Sequence, residues 1–173
     1  MRTSVLSAII VGTIVWAGLL APPTAGDPPA GKQEPRKGLP DLVAALKATP
    51  GCLGVETAKT GSGKQVIFAW FEDKKAVLKW YHSDMHQHVM KQFFPDREYS
   101  KPLKEVPDDS GPIMVIASIT FTDKSRFKET SLPISQISIE LYKPVGGGIF
   151  LGGRFAPEGL KVPKMRDYTP KEK

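Results

Sequence analysis

The stretch between Pro50 and Pro95 limits what this chain can fold into. Residues 65–72, QVIFAWFE, form a nearly continuous apolar run, rich in aromatic and β-branched side chains. Its length, and the turn residues Thr60-Gly61-Ser62-Gly63 before it, predict a buried strand. Residues 52–59, CLGVETAK, alternate as a strand does, so the two runs should close as a hairpin. Asp73 then suits a helix cap, and the spacing predicts one helix over 74–93, ended by Pro95. At about 100° per residue, Val77, Leu78, Tyr81, Met85, His88 and Val89 share one arc with Trp80 at its edge.

The flanking sequence completes an α+β pattern. Leu39, Leu42, Val43 and Leu46 fall at i, i+3, i+4 and i+7, a short amphipathic helix with Pro40 and Asp41 suited to its start and Pro50-Gly51 to its end. Residues 96–112 read as a polar, proline-bearing loop, and 113–121, IMVIASITF, as another apolar strand. In 135–143, Ile137, Ile139 and Leu141 alternate with Gln136, Ser138, Glu140 and Tyr142. Gly146-Gly147-Gly148 turns into a last strand at 149–155. Two helices on one face of an antiparallel sheet make a ferredoxin-like layout. The strand that should precede the first helix is missing, and 135–143, lying antiparallel beside 113–121, would replace it from late in the chain.

Residues 4–21, SVLSAIIVGTIVWAGLLA, are uncharged, follow Arg2 and precede the small and proline-rich APPTAGDPPAG. This is the order of a signal peptide, residues 1–26, with cleavage near Ala25 or Gly26. The run also approaches the length that spans a bilayer, so an uncleaved anchor is the alternative. In either case the remainder lies outside the cytoplasm, periplasmic or secreted. Residues 27–38 form a linker, 39–155 the folded domain and 156–173 an extended, poorly packed tail. Cys52, the single cysteine, excludes an internal disulfide and reads as a small buried side chain. The net charge of +6 is dispersed, with no basic stripe interleaved with aromatics, which does not support nucleic-acid binding.

All three histidines lie in Trp80-Tyr81-His82-Ser83-Asp84-Met85-His86-Gln87-His88. His82 and His86 have the i, i+4 spacing of two metal ligands on a helix, but no third ligand is evident, and a solvated pair is the simpler reading. His88 falls on the apolar arc, where Asp84 one turn earlier could hold its imidazole. Trp80, Trp70, Phe68 and Tyr81 could line an apolar pocket between helix and sheet, or simply fill the core. Gly61-Ser62-Gly63-Lys64 lacks the remaining spacing of a phosphate loop and reads as a hairpin turn. Gly152-Gly153-Arg154 leaves Arg154 as a candidate contact for an anionic ligand.

The stretch Pro50 to Phe94 resembles the antibiotic-biosynthesis-monooxygenase-like domains of the dimeric α+β barrel superfamily. The matching positions are Pro50, Gly51, Glu72, Ala76, Trp80, Ser83 and His86. The resemblance implies ferredoxin-like protomers whose sheets pack into a homodimer, and a pocket with Trp80 and His86 at its edge. Some members oxygenate activated aromatics without metal or flavin, so no cofactor is expected. Haem-degrading members carry a ligating histidine where this chain has about Met90, and an asparagine on the first strand, which is missing here; that role is disfavoured. The expectation is a small aromatic or hydrophobic partner, with Trp80 orienting it and His86 or His88 acting as general base or hydrogen-bond donor. A non-catalytic module binding a small molecule or a partner on the same scaffold is the alternative. A metal or haem carrier using His82 and His86 is a third reading.

Overall fold

The computed structural model describes residues 41–95 and 101–171. The expected signal segment and linker lie outside the described residues, as do Leu39 and Pro40.

The first helix, α1 (Leu42–Lys47), begins where Asp41 accepts the Ala44 N–H at 2.9 Å, which satisfies one of the amide donors that a helix start leaves free. Gly51, at φ +87°, turns the chain into β1 (Cys52–Lys59), which forms the expected hairpin with β2 (Gln65–Phe71). Gly63, at φ +85°, and the Thr60–Ser62 hydroxyl pair complete its turn. The sheet continues antiparallel through β3 (Ile113–Phe121) to β4 (Ile134–Tyr142), in the order β1-β2-β3-β4. The pairing of 134–142 with 113–121 is the one expected. A strand from after the helices therefore stands beside β2, where the first strand of a ferredoxin-like unit would be. That strand is β3 and not 135–143 as expected; β4 lies beyond it at the edge of the sheet.

The helix predicted over 74–93 is two helices, α2 (Lys74–Tyr81) and α3 (Asp84–Phe93). Asp73 caps the first, accepting the Ala76 N–H at 2.8 Å. His82 ends α2, and Ser83, in extended backbone at ψ 149°, caps α3 by accepting the His86 N–H. Apolar periodicity continues across the junction, which hides the break. The cap chemistry of Ser83 reveals it, because a serine hydroxyl competes with the backbone for the same amide.

Strand alternation divides the side chains between two layers. Val55, Ala69, Phe71 and Ile113 face the helices and pack with Leu46, Ala76 and Val77, while Val89 and Phe93 close the far end with Leu132 and Ile134. The 101–112 loop also packs, with Leu103 and Val106 on this core and Lys74 bound to the Val106 carbonyl and to Asp108.

The opposite face carries Phe68, Trp70 and Met114, and here the first part of the expected tail packs. Residues after Phe155 fold over this face: Phe155 meets Phe68 and Trp70, and Leu160 is 2% exposed. A Cβ on Gly54 would lie 2.8 Å from that of Pro157, so a side chain there would displace the cover. Arg154 secures the segment, its Nη2 directed at the carbonyls of Pro157, Glu158 and Leu160. The physical reason is that an apolar sheet face this rich in aromatics needs a second layer. The last strand is also shorter than predicted. Only β5 (Ile149–Phe150) is extended, and it pairs in parallel with β6 (Arg166–Asp167) as a separate ribbon. Glycines 147, 148 and 152, all at positive φ, prevent a longer run.

Candidate functional site

The break between α2 and α3 creates the polar centre of the histidine segment. Because α2 stops at Tyr81, the Tyr81 carbonyl is available to side chains. It receives His86 Nδ1 at 2.9 Å and Gln87 Nε2 at 2.6 Å. A carbonyl oxygen only accepts, so Nδ1 carries the proton and the neutral ring keeps its lone pair on Nε2. The imidazole lies between two aromatic rings, Trp80 at 5.5 Å and Tyr81 at 5.0 Å between centroids. Burial pushes the His86 pKa below its ordinary value; the Tyr81 carbonyl opposes this and neighbouring His82 adds to it. His86 is therefore a half-buried base held neutral and oriented.

The other histidine expectations need correction. His88 is exposed, not inward, because the helical projection assumed a continuous axis through Ser83. Asp84 is exposed in the first turn of α3 and makes no hydrogen bond to His88 among the described residues. His82 caps α2 while His86 belongs to α3, so the i, i+4 relation of one helix does not hold for them. No three His, Cys, Asp or Glu side chains cluster as a metal site among the described residues.

Phe68 and Trp70 do not join Trp80 and Tyr81. Strand alternation places Ala69 and Phe71 toward the helices, and therefore Phe68 and Trp70 on the far face. There Trp70 and Phe155 meet edge-on at 5.2 Å, at the floor of a cleft of about 450 Å³. Met114, Phe150, Val162 and Met165 complete its apolar wall, and Lys143 lies at its margin. Arg154, the candidate anion contact, is committed instead to backbone carbonyls and to the Met165 sulfur. Sequence reading missed Phe155, Leu160, Val162 and Met165. The recurrence of large apolar side chains in a segment otherwise rich in proline, glycine and lysine was the signal.

The residues that carried the family resemblance now separate by role. Gly51 packs on Ala76, and the Glu72 N–H donates to the Gly51 carbonyl at 2.9 Å, so these three fix how α2 leaves the hairpin. Ser83 caps α3, while Trp80 and His86 meet ring to ring. Residues 28–92 match the antibiotic biosynthesis monooxygenase family. The monooxygenase-like segment runs from before α1 into α3, and β3, β4 and the C-terminal cover lie beyond it. Members of this family are typically dimeric and bind small molecules. No curated protein and no solved structure matches the chain.

Proposed function

We propose that this chain is an exported monooxygenase-like module that takes a small, flat hydrophobic or aromatic molecule into the cleft over Trp70, and that its task there is binding. The observation that carries this reading is the edge-on pair of Trp70 and Phe155 at the cleft floor. Phe155 leaves 60% of its surface open, and the cleft lining contains no carboxylate and no imidazole among the described residues. The volume falls within the range of small-ligand sites, about 300–1,000 Å³. Export is supported by the charge-free run at 4–21 and the small residues after it. N-terminal sequencing of protein from an exporting host should find the chain starting near Ala25 or Gly26; an intact N-terminus in the membrane fraction would mean an anchor.

Titration with a naphthoquinone, followed by tryptophan fluorescence, tests the binding. Saturable quenching is expected, lost in Trp70→Phe, with affinity about tenfold weaker in Phe155→Ala, equivalent to ~1.4 kcal/mol. Absence of saturable quenching in the unaltered chain overturns the proposal.

A second reading, cofactor-independent oxygenation, has its own support in His86. Its free Nε2 is suited to take a proton from a phenol or quinol held against Trp80 and Tyr81, leaving an electron-rich anion for dioxygen. Oxygen uptake with a quinol should then collapse in His86→Ala and persist in His88→Ala. Equal uptake in all three proteins would remove His86 from the chemistry.

A further inference from the structure

The cleft over Trp70 and Phe155 has apolar walls and an unbalanced charge. Two cationic side chains line it, Lys143 and Arg154, and no carboxylate does among the described residues. Arg154 is half-buried. Its Nη2 donates to the carbonyls of Pro157, Glu158 and Leu160 at 2.6–2.8 Å, and its Nη1 to the Met165 sulfur at 3.6 Å. These partners are dipoles, so the guanidinium keeps its full charge beside an apolar wall. The ion pairs of the described residues, Lys74–Asp108 and Lys104–Glu105, include neither Lys143 nor Arg154. Glu140 lies on the same face of the sheet, but its carboxylate is held by the hydroxyls of Ser138 and Tyr142 and stands outside the lining. A cation partly withdrawn from water without an anion is incompletely satisfied, and its field reaches further than it would at an open surface.

The sheet register explains why Lys143 arrives here. Trp70, Met114 and Tyr142 are successive cross-strand neighbours, and Lys143 follows Tyr142. Pro144 has no N–H to continue the ladder, so the strand ends and the lysine stands at the cleft margin, exposed. We infer, on the reading of this cleft as a ligand site, that the molecule it takes is an aromatic carboxylate. Its ring lies against Trp70 and Phe155, and its carboxylate remains at the mouth, where the Lys143 ammonium meets it and the field of Arg154 adds to the attraction. A cationic ring is repelled by both groups, and a neutral ring leaves both uncompensated. Because the Arg154 Nη2 is already committed, the head group meets one ammonium directly, which suits a singly charged carboxylate.

The test compares naphthoate with naphthamide, a neutral ligand of the same shape, by titration calorimetry on protein expressed from the full-length gene. At neutral pH, naphthoate should bind about fivefold more tightly, the scale of a partly exposed ion pair. Lys143→Gln should abolish that preference without weakening naphthamide, and Lys143→Arg should keep it. Lys124→Gln removes the same charge from the exposed loop between β3 and β4 and should leave the preference unchanged. Raising salt from about 0.01 to about 1 M shortens the screening length from about 30 to about 3 Å and should erase the preference. Equal affinity for the two ligands, or a naphthoate preference that survives Lys143→Gln, overturns the inference while leaving the cleft a binding site. Failure of naphthoquinone, naphthoate and naphthamide alike to bind removes the site itself, and the inference with it.

Discussion

Gly51 and Ala76 approach so closely that a Cβ built on Gly51 would stand 2.6 Å from the Cβ of Ala76. The glycine ends one turn and the alanine begins one helix, and their contact sets the distance between α2 and the start of β1. Two residues that carried the family resemblance are thus explained by packing alone.

Gly51→Ala is expected to be among the most damaging small substitutions in the chain. It combines a left-handed φ of +87° with the clash on Ala76. A loss of about 2–4 kcal/mol is expected from these two effects together. Urea unfolding will measure it. Adding Ala76→Gly should recover part of the clash but none of the backbone cost, so the double variant should be less damaged than the sum of the single ones.

The Ser83 hydroxyl accepts the His86 N–H and separates α3 from α2. Ser83→Ala should cost about 1 kcal/mol, the usual loss when an N-cap is removed. Ser83→Asp should retain most of the stability. The same pair of variants should alter the His86 resonance in NMR spectra, because the cap positions the turn that carries the imidazole.

His86 should titrate below the ordinary imidazole value of about 6.5, as read from its imidazole proton shifts. The sign for stability follows from its burial. Its folded pKa is lowered, so the unfolded chain takes up this proton first as pH falls. The His86 contribution is present above the unfolded value and is lost as pH drops through it toward the folded value. His86→Gln should remove that component of the acid destabilisation, while His88→Gln should leave it unchanged.

Leu160 tests whether the C-terminal cover belongs to the cooperative fold. It is 2% exposed, so Leu160→Ala should cost about 2–4 kcal/mol. If the segment were a loose tail, the loss would be close to zero. Trp70 emission should shift to the red as the cover loosens, and the shift should vanish in a Trp70→Phe background.

Much of the sheet was legible because its signals are local. The alternation in 52–59, the apolar run at 65–72 and the glycine turn between them define a hairpin without help from elsewhere. The strands at 113–121 and 135–143 were equally clear, since the first is largely apolar and the second alternates. The histidine segment was less legible. The apolar period passes through Ser83 without interruption, so a projection on one axis turned His88 inward and gave His86 no special place. The family resemblance selected Trp80 and His86, and these are the rings that meet. The cover over Trp70 was least legible of all. Its strands are two residues long, and its hold on the sheet comes from Phe155, Pro157, Leu160 and the carbonyl ligands of Arg154, none of which has a period.

The two faces of the sheet are closed by segments that emerge at different times. Everything that packs on Phe71 is in place by the time β3 has been made, whereas Trp70 must wait for residues 155–160. During synthesis the molecule therefore passes through a stage with one side finished and an aromatic surface still wet on the other. That surface is covered only when Arg154 draws its loop shut.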